Sequence, residues 1–135
     1  LEADLRVGEI AALPWPDEHF DIVIDRAVLT HNSHSHISIT LEEVRRVLKL
    51  GGVMMSFSLF GMNHAERVHG EEVSYHAFHD FRDGCFRSVG LTKFFTRDDL
   101  TALFSRFGKS EIERTTVRDG NDQIISEEFS VKATK

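Results

Sequence analysis

The chain has 135 residues, of which 41% are hydrophobic and 28% charged, and its 16 basic and 22 acidic side chains give a formal net charge of -6. This composition fits one globular domain and excludes intrinsic disorder or a collagen-like structure for the whole chain. The acidic balance argues against a general nucleic-acid binder, and no apolar run reaches the roughly 18 residues that a membrane span needs.

The first predicted elements are a strand, a loop and a helix. Phe20–Asp25 is a short, nearly continuous apolar run, typical of a strand that is covered on both faces. A polar loop is expected over Thr30–Ser38. The spacing of Thr40 and Glu43 suits a capping box, so we predict a helix that starts at Thr40 and ends at the glycine pair Gly51–Gly52.

A second buried strand, Val53–Leu59, follows the glycine pair directly. The strand-helix-strand order predicts two parallel neighbouring strands joined by a right-handed crossover. Ligands of such sheets lie beyond the carboxyl ends of the strands. The segments to examine for a site are therefore Asp25–His31 and Leu59–Asn63.

The rest of the chain divides into an irregular segment and a regular one. Residues 61–93 are rich in histidine and phenylalanine without a clear period, and we expect a cap insertion with one or two short helices. Thr96 is the expected N-cap of a helix that Gly108 stops. Two strands over Glu111–Arg118 and Ile124–Ala133 then form an antiparallel pair, because turn-forming residues separate them.

The single cysteine, Cys85, cannot form an internal disulfide, which favours a reducing compartment. The first residues carry neither the basic start nor the apolar segment of a signal peptide. We therefore expect a cytoplasmic protein with no membrane and no nucleic-acid partner.

Three segments resemble one enzyme family. Residues 7–23 read Val-Gly-Glu-Ile-Ala-Ala-Leu-Pro-Trp-Pro-Asp-Glu-His-Phe-Asp-Ile-Val, which resembles a signature of class I S-adenosylmethionine-dependent methyltransferases of the type 11-like, small-molecule kind. Residues 41–52, Leu-Glu-Glu-Val-Arg-Arg-Val-Leu-Lys-Leu-Gly-Gly, are similar to the family's next element, although Leu50 replaces its usual proline. Residues 94–100 are similar to a later helix start. The three segments have the family's order and spacing.

The resemblance implies an α/β fold with a partial Rossmann-like sheet. The strands would be equivalent to strands 4-5-7-6 of the family's seven, mostly parallel with a C-terminal antiparallel pair, in a single partial methyltransferase domain over residues 1–135. The family's glycine loop and ribose-binding acid have no counterpart, so the chain is expected to be a C-terminal portion. The strand Phe20–Asp25 would then be an open edge, and we expect a homodimer through it.

The resemblance also assigns residues to S-adenosylmethionine. Glu9 matches the acid that bonds the adenine amino group, and the alternative is a solvated turn acid. Ile10 matches the residue that packs on adenine, and its alternative is a core position. Arg26 and Ala27 fall where the strand ends beneath the cofactor. The alternative for Arg26 is an ion pair with Asp25 or with another neighbour.

His31 is the candidate catalytic residue. It matches a histidine near the methyl acceptor, and imidazole takes up a proton near neutral pH. Two alternatives stay open: plain loop histidines, or a metal site shared by His31, His34 and His36. The implied function is methyl transfer to a small-molecule acceptor. A methyltransferase-derived module without activity, which self-associates or completes a partner's sheet, is the alternative.

Overall fold

The computed structural model describes residues 2–135. In chain order the elements are β1 (Phe20–Arg26), a 3₁₀ turn (Leu29–His31), α1 (His34–Val47), β2 (Leu48–Phe60), a second 3₁₀ turn (Ala65–His69), β3 (Glu71–Ser74), β4 (Ala77–His79), β5 (Thr92–Lys93), α2 (Arg97–Phe104), β6 (Lys109–Arg118) and β7 (Ile124–Thr134). None of the helices in this part of the chain is long and apolar enough to cross a membrane.

The main sheet has the strand order β1-β2-β7-β6. The strands β1 and β2 are parallel neighbours, with Val23 paired to Met54, and β7 is antiparallel to both β2 and β6. Three of the four strands therefore run in one direction and only β7 is reversed. This confirms the α/β fold, the expected 4-5-7-6 order, the parallel pair and the terminal antiparallel pair.

The helices α1 and α2 cover one face of this sheet. The core between them is built from fifteen buried side chains, namely Leu29, Ile37, Leu41, Val44, Leu48, Met54, Leu59, Phe95, Leu100, Leu103, Phe104, Phe107, Phe129, Val131 and Ala133. On the opposite face Ile24, Phe57 and Val117 are exposed to solvent. The chain therefore has one well-packed layer of helices on one side of the sheet.

The predicted start of the first helix is wrong. The helix α1 begins at His34, where the hydroxyl of Ser33 accepts the amide N–H of His36 at 3.3 Å. Thr40 lies inside the helix, and its hydroxyl donates to the carbonyl of His36 at 2.9 Å. The second half of the predicted polar loop, residues 34–38, therefore belongs to the helix, and the Ser33 hydroxyl satisfies one of the free amides at its start.

The predicted end of that helix is also wrong. The helix ends at Val47, and β2 begins at Leu48. Gly51 has a φ of 76° and lies in an irregular stretch between two pairings of β2 with β1, those of Leu48 with Phe20 and Val53 with Ile22. The glycine pair thus permits a break in strand register, because glycine reaches positive φ without steric cost.

Residues 61–93 contain strands that the sequence analysis did not predict. Only one 3₁₀ turn forms there, and β3, β4 and β5 make a small antiparallel sheet. A second apolar cluster lies beneath it, formed by Phe78, Phe81, Phe86 and Phe94. Strands of two to four residues are too short to show an alternating pattern, so aromatic packing rather than periodicity defines this segment.

The C-terminal elements agree with their predictions. Thr96 caps α2, and Asp99 completes a capping box with it. The helix ends at Phe104, a turn earlier than Gly108. The strands β6 and β7 pair from Lys109 with Thr134 to Arg118 with Ile124.

Candidate cofactor and acceptor site

Glu9 lies in the loop that precedes β1 and faces the start of α1. Its Oε1 atom accepts a hydrogen bond from Nε2 of His36 at 3.1 Å and lies 3.4 Å from the amide of Ala11. These two contacts, that of the amide first, lower the pKa of Glu9. The side chain is 63% exposed, so it presents an ionised carboxylate to solvent.

Ile10 lines a small apolar pocket beside this carboxylate. The pocket has a volume of about 140 Å³ and its other lining residues are Leu13, Val23, Ile24, Asp25, Val28, Leu29, Thr40, Val44 and Met54. These residues come from the loop, from the carboxyl end of β1 and from α1. Ile10 thus lies on an apolar surface, and the carboxylate of its neighbour Glu9 is exposed to solvent.

Asp25 has a structural role that the sequence analysis did not predict. Its carboxylate accepts the hydroxyl of Ser56 at 2.5 Å and the amides of Val28 at 3.0 Å and Leu29 at 3.4 Å. Burial raises the pKa of this carboxyl. The carboxylate is engaged by these three donors and not by Arg26, so the proposed Asp25–Arg26 ion pair is wrong. Asp25 instead fixes the 3₁₀ turn that carries His31.

Arg26 and Ala27 occupy the end of β1 but face different surroundings. Arg26 lines a groove of about 580 Å³ on the open face of the sheet, together with Phe57 and Val117. Ala27 has a φ of 60°, and its amide donates to the carbonyl of Phe57 at 3.0 Å. The structure therefore places the side chain of Arg26 away from the pocket of Ile10.

His31 lies at the carboxyl end of β1 and contacts the segment before β5. Its Nδ1 atom is 3.2 Å from the carbonyl oxygen of Leu91 and 3.3 Å from the hydroxyl of Thr92. Its ring is 6.2 Å from that of Phe60, at the end of β2. Because a carbonyl oxygen only accepts, Nδ1 carries the hydrogen, and Nε2 of the neutral ring then has the free lone pair.

The three histidines considered for a metal do not converge. His36 is paired with Glu9, whereas His34 lies with its ring 6.3 Å from that of Tyr75. Between residues 2 and 135 no group of three or more histidine, cysteine, aspartate or glutamate side chains is arranged to hold a metal ion. The metal alternative therefore has no geometric support.

Two further buried ionisable groups lie near the carboxyl ends of the strands. Lys93 is fully buried, donates to the carbonyl of Tyr75 at 2.9 Å, and has its pKa lowered by burial. His64 stacks on Phe86 with the ring centroids 5.3 Å apart, and burial lowers its pKa as well. Both residues belong to the 61–93 segment, and the sequence pattern there did not predict that either side chain would be buried.

Comparison with known proteins places these features in context. A family model described as a methyltransferase domain matches residues 1–56. Malonyl-[acyl-carrier protein] O-methyltransferase 1 of Coxiella burnetii is 32% identical over 83 residues, which are 58% of this chain and 28% of that protein. The chain thus spans less than a third of this curated relative.

Solved structures share the fold. A S-adenosylmethionine-dependent methyltransferase from Methanosarcina mazei superposes with a TM-score of 0.77 at 22% identity, over 99% of this chain and 68% of that one. The 1,6-didemethyltoxoflavin-N1-methyltransferase of Burkholderia thailandensis, solved with bound 1,6-didemethyltoxoflavin and S-adenosylhomocysteine, superposes with a TM-score of 0.60 at 15% identity, over 93% of this chain and 48% of that one.

Proposed function

We propose that this chain, whose residues 1–56 match a methyltransferase domain, is a class I S-adenosylmethionine-dependent methyltransferase that takes part in methyl transfer to a small-molecule acceptor. The observation that carries the proposal is the exposed carboxylate of Glu9 beside the apolar pocket of Ile10, at the carboxyl end of a parallel strand. We place this activity in the cytoplasm, where the exposed thiol of Cys85 stays reduced.

The residues present fit one part of the cofactor. A carboxylate accepts a hydrogen bond from the adenine amino group, and an apolar wall suits the flat face of a base. Pockets that enclose a whole ligand measure about 300–1,000 Å³. The pocket of about 140 Å³ therefore suits a nucleobase alone. Arg26 and Ala27 lie between two lining residues of this pocket, Asp25 and Val28, and we propose that their backbone runs along the bound cofactor.

His31 is assigned to the acceptor. When bound, S-adenosylmethionine supplies an electrophilic methyl group. His31 would hold the acceptor in line and take the proton that the acceptor's hydroxyl or amine loses, while the methyl carbon would part from the sulfonium sulfur and leave S-adenosylhomocysteine. The Leu91 carbonyl fixes the tautomer that leaves Nε2 unprotonated for this step. The 61–93 segment supplies that carbonyl, so we propose it as the cap that selects the acceptor.

Titration of the purified chain with S-adenosylhomocysteine tests the cofactor assignment. We expect binding in the micromolar range and a loss of at least about tenfold for Glu9→Ala, since a hydrogen bond to a charged group contributes about 1.5–3 kcal/mol. His31→Ala is the matched control: it should bind like the wild type and lose methyl transfer to an added acceptor. No heat at millimolar ligand would contradict the proposal and favour the non-catalytic module.

The edge of the sheet supports a proposal of self-association. Ile22 and Ile24 on β1 are 58% and 66% exposed, and the outer backbone groups of β1 face no other strand among the described residues. An apolar edge of this kind pairs readily with a second strand. Light scattering should therefore give the mass of a homodimer formed through Phe20–Asp25. Ile24→Lys should return the monomer, whereas Ile39→Lys, on the exposed side of α1, should not. A wild-type monomer at high concentration contradicts this interface.

A further inference from the structure

The guanidinium of Arg46, near the end of α1, holds the loop that precedes β1. Its Nε donates to Glu43 at 2.9 Å, Nη1 donates to the Trp15 carbonyl at 2.9 Å and to Asp17 at 2.8 Å, and Nη2 donates to the Leu13 carbonyl at 3.1 Å and to Glu43 at 2.9 Å. These five hydrogen bonds use every N–H donor that an arginine side chain has.

Glu43 completes the clamp from the opposite side. Its Oε2 atom accepts the amide N–H of Leu13 at 3.0 Å, so both backbone groups of Leu13 are held by the Glu43–Arg46 pair. The ion pair with Arg46 lowers the pKa of Glu43. An ordinary surface pair three residues apart on a helix bonds only within its own helix. This one directs most of its donors to the loop.

The clamped loop carries the residues assigned to the cofactor. Leu13 lines the same pocket as Ile10, and the amide of Ala12 donates to the Glu9 carbonyl at 3.0 Å. A shift of Leu13 would therefore move the pocket wall and disturb the turn that holds the backbone of Glu9. We propose that Glu43 and Arg46 are positioning residues that fix Glu9 and Ile10 for the adenine end of the cofactor, an inference that rests on the proposed function.

Arg46→Lys is the variant that isolates this role. Lysine keeps the positive charge but has three N–H donors on one atom instead of five on a planar fork, so it cannot bond Leu13, Trp15, Asp17 and Glu43 at once. We expect S-adenosylhomocysteine to bind five- to tenfold more weakly, with the KM for the acceptor unchanged. Arg45→Lys, at the exposed neighbouring position, should match the wild type in both measurements.

Trp15 reports on the loop without any ligand. It is the chain's single tryptophan, and its carbonyl is one of the clamped groups. Acrylamide should quench its fluorescence at least twofold more strongly in Arg46→Lys than in the wild type, at a temperature where circular dichroism shows both to be folded. Glu43→Gln, which keeps the length and an acceptor oxygen but loses the charge, should fall between them.

The outcomes separate the two proposals. If the wild type fails to bind S-adenosylhomocysteine, the proposed function fails and the positioning role falls with it, whatever the fluorescence shows. If the wild type binds and Arg46→Lys binds equally well, the positioning role alone is overturned, even where quenching differs. Weaker binding together with stronger quenching supports the clamp.

Discussion

Replacing Asp99 with asparagine should lower the free energy of unfolding by about 2 kcal/mol at neutral pH. The side chain is only 7% exposed and accepts four hydrogen bonds: from the amide and the hydroxyl of Thr96, both at 2.8 Å, from Tyr75 at 2.9 Å and from His76 at 3.1 Å. Burial alone would raise the pKa of Asp99, but these bonds outweigh it and lower the pKa to about 2. An asparagine has one acceptor oxygen and turns two N–H groups toward donors.

The sign of the pH dependence follows from this shift. Because the folded pKa lies below the ordinary value of 3.8, the ionised group stabilises the fold above that pH, and the stabilisation is lost as the pH falls toward 2. Urea unfolding at pH 7, 5, 4 and 3 should show the gap between wild type and Asp99→Asn closing over the last two steps. Asp98→Asn, an exposed acid in the same helical turn, should cost under about 0.5 kcal/mol. Equal midpoints for wild type and Asp99→Asn at pH 7 would refute the assignment.

This carboxylate also joins two parts of the molecule. Thr96 belongs to the start of α2, whereas Tyr75 and His76 form the turn between β3 and β4. Lys93 supports the same turn, because its ammonium lies 4.8 Å from the centre of the Tyr75 ring. Loss of Asp99 should therefore raise amide hydrogen exchange in β3 and β4 before it does so in the main sheet.

A second large effect is expected for Gly61→Ala, at the exit of β2. A methyl group there would lie 2.5 Å from Cγ and 2.6 Å from Cδ of Glu127, well inside contact distance. Neither the Glu127 side chain nor the backbone of Gly61 has room to move. Glu127 is 3% exposed and accepts bonds from the amide and the side chain of Asn63, and the Gly61 amide donates to the Glu127 carbonyl at 2.8 Å. Overpacking of this kind costs about 1–3 kcal/mol, and we expect the upper end.

Gly120→Ala is the matched control for this variant. No atom lies within 4 Å of the position a methyl group would take there, so the urea midpoint should move by less than about 0.5 kcal/mol. The double variant Gly61→Ala/Glu127→Ala removes the clash while leaving Asn63 unpaired, so it should cost less than the sum of the single changes. Strict additivity would show that the two side chains do not interact.

Several elements could be predicted because their causes are local. The strand Phe20–Asp25, the N-cap at Thr96 and the terminal hairpin all depend on neighbouring residues, and all three are present. The prediction of where α1 starts was wrong because local signals did not suffice there. Ser33 and Thr40 both head plausible helices, and the choice between them depends on whether residues 34–39 find a surface to pack on. Ile37, which is fully buried, provides that contact.

In the candidate site, too, the residues of a local motif could be predicted and those with distant partners could not. Glu9 and Ile10 were singled out from a contiguous motif, and the structure shows Ile10 in an apolar pocket and Glu9 paired with His36. Asp25 and Glu127 were not recognised, because the sequence does not indicate which acidic side chains become buried. Their partners Ser56 and Asn63 lie 31 and 64 residues away along the chain.

The sequence by itself indicated the strands of the main sheet, the two helices and the resemblance to a methyltransferase family, because hydrophobic period, turn chemistry and motif spacing act over a few residues. Only the tertiary structure decided which face of the sheet is covered, where α1 begins, and that Arg46 holds a loop about thirty residues before it. Such contacts form when distant segments meet and bury each other's polar groups, and their hydrogen bonds are then kept because an unpaired buried group is costly.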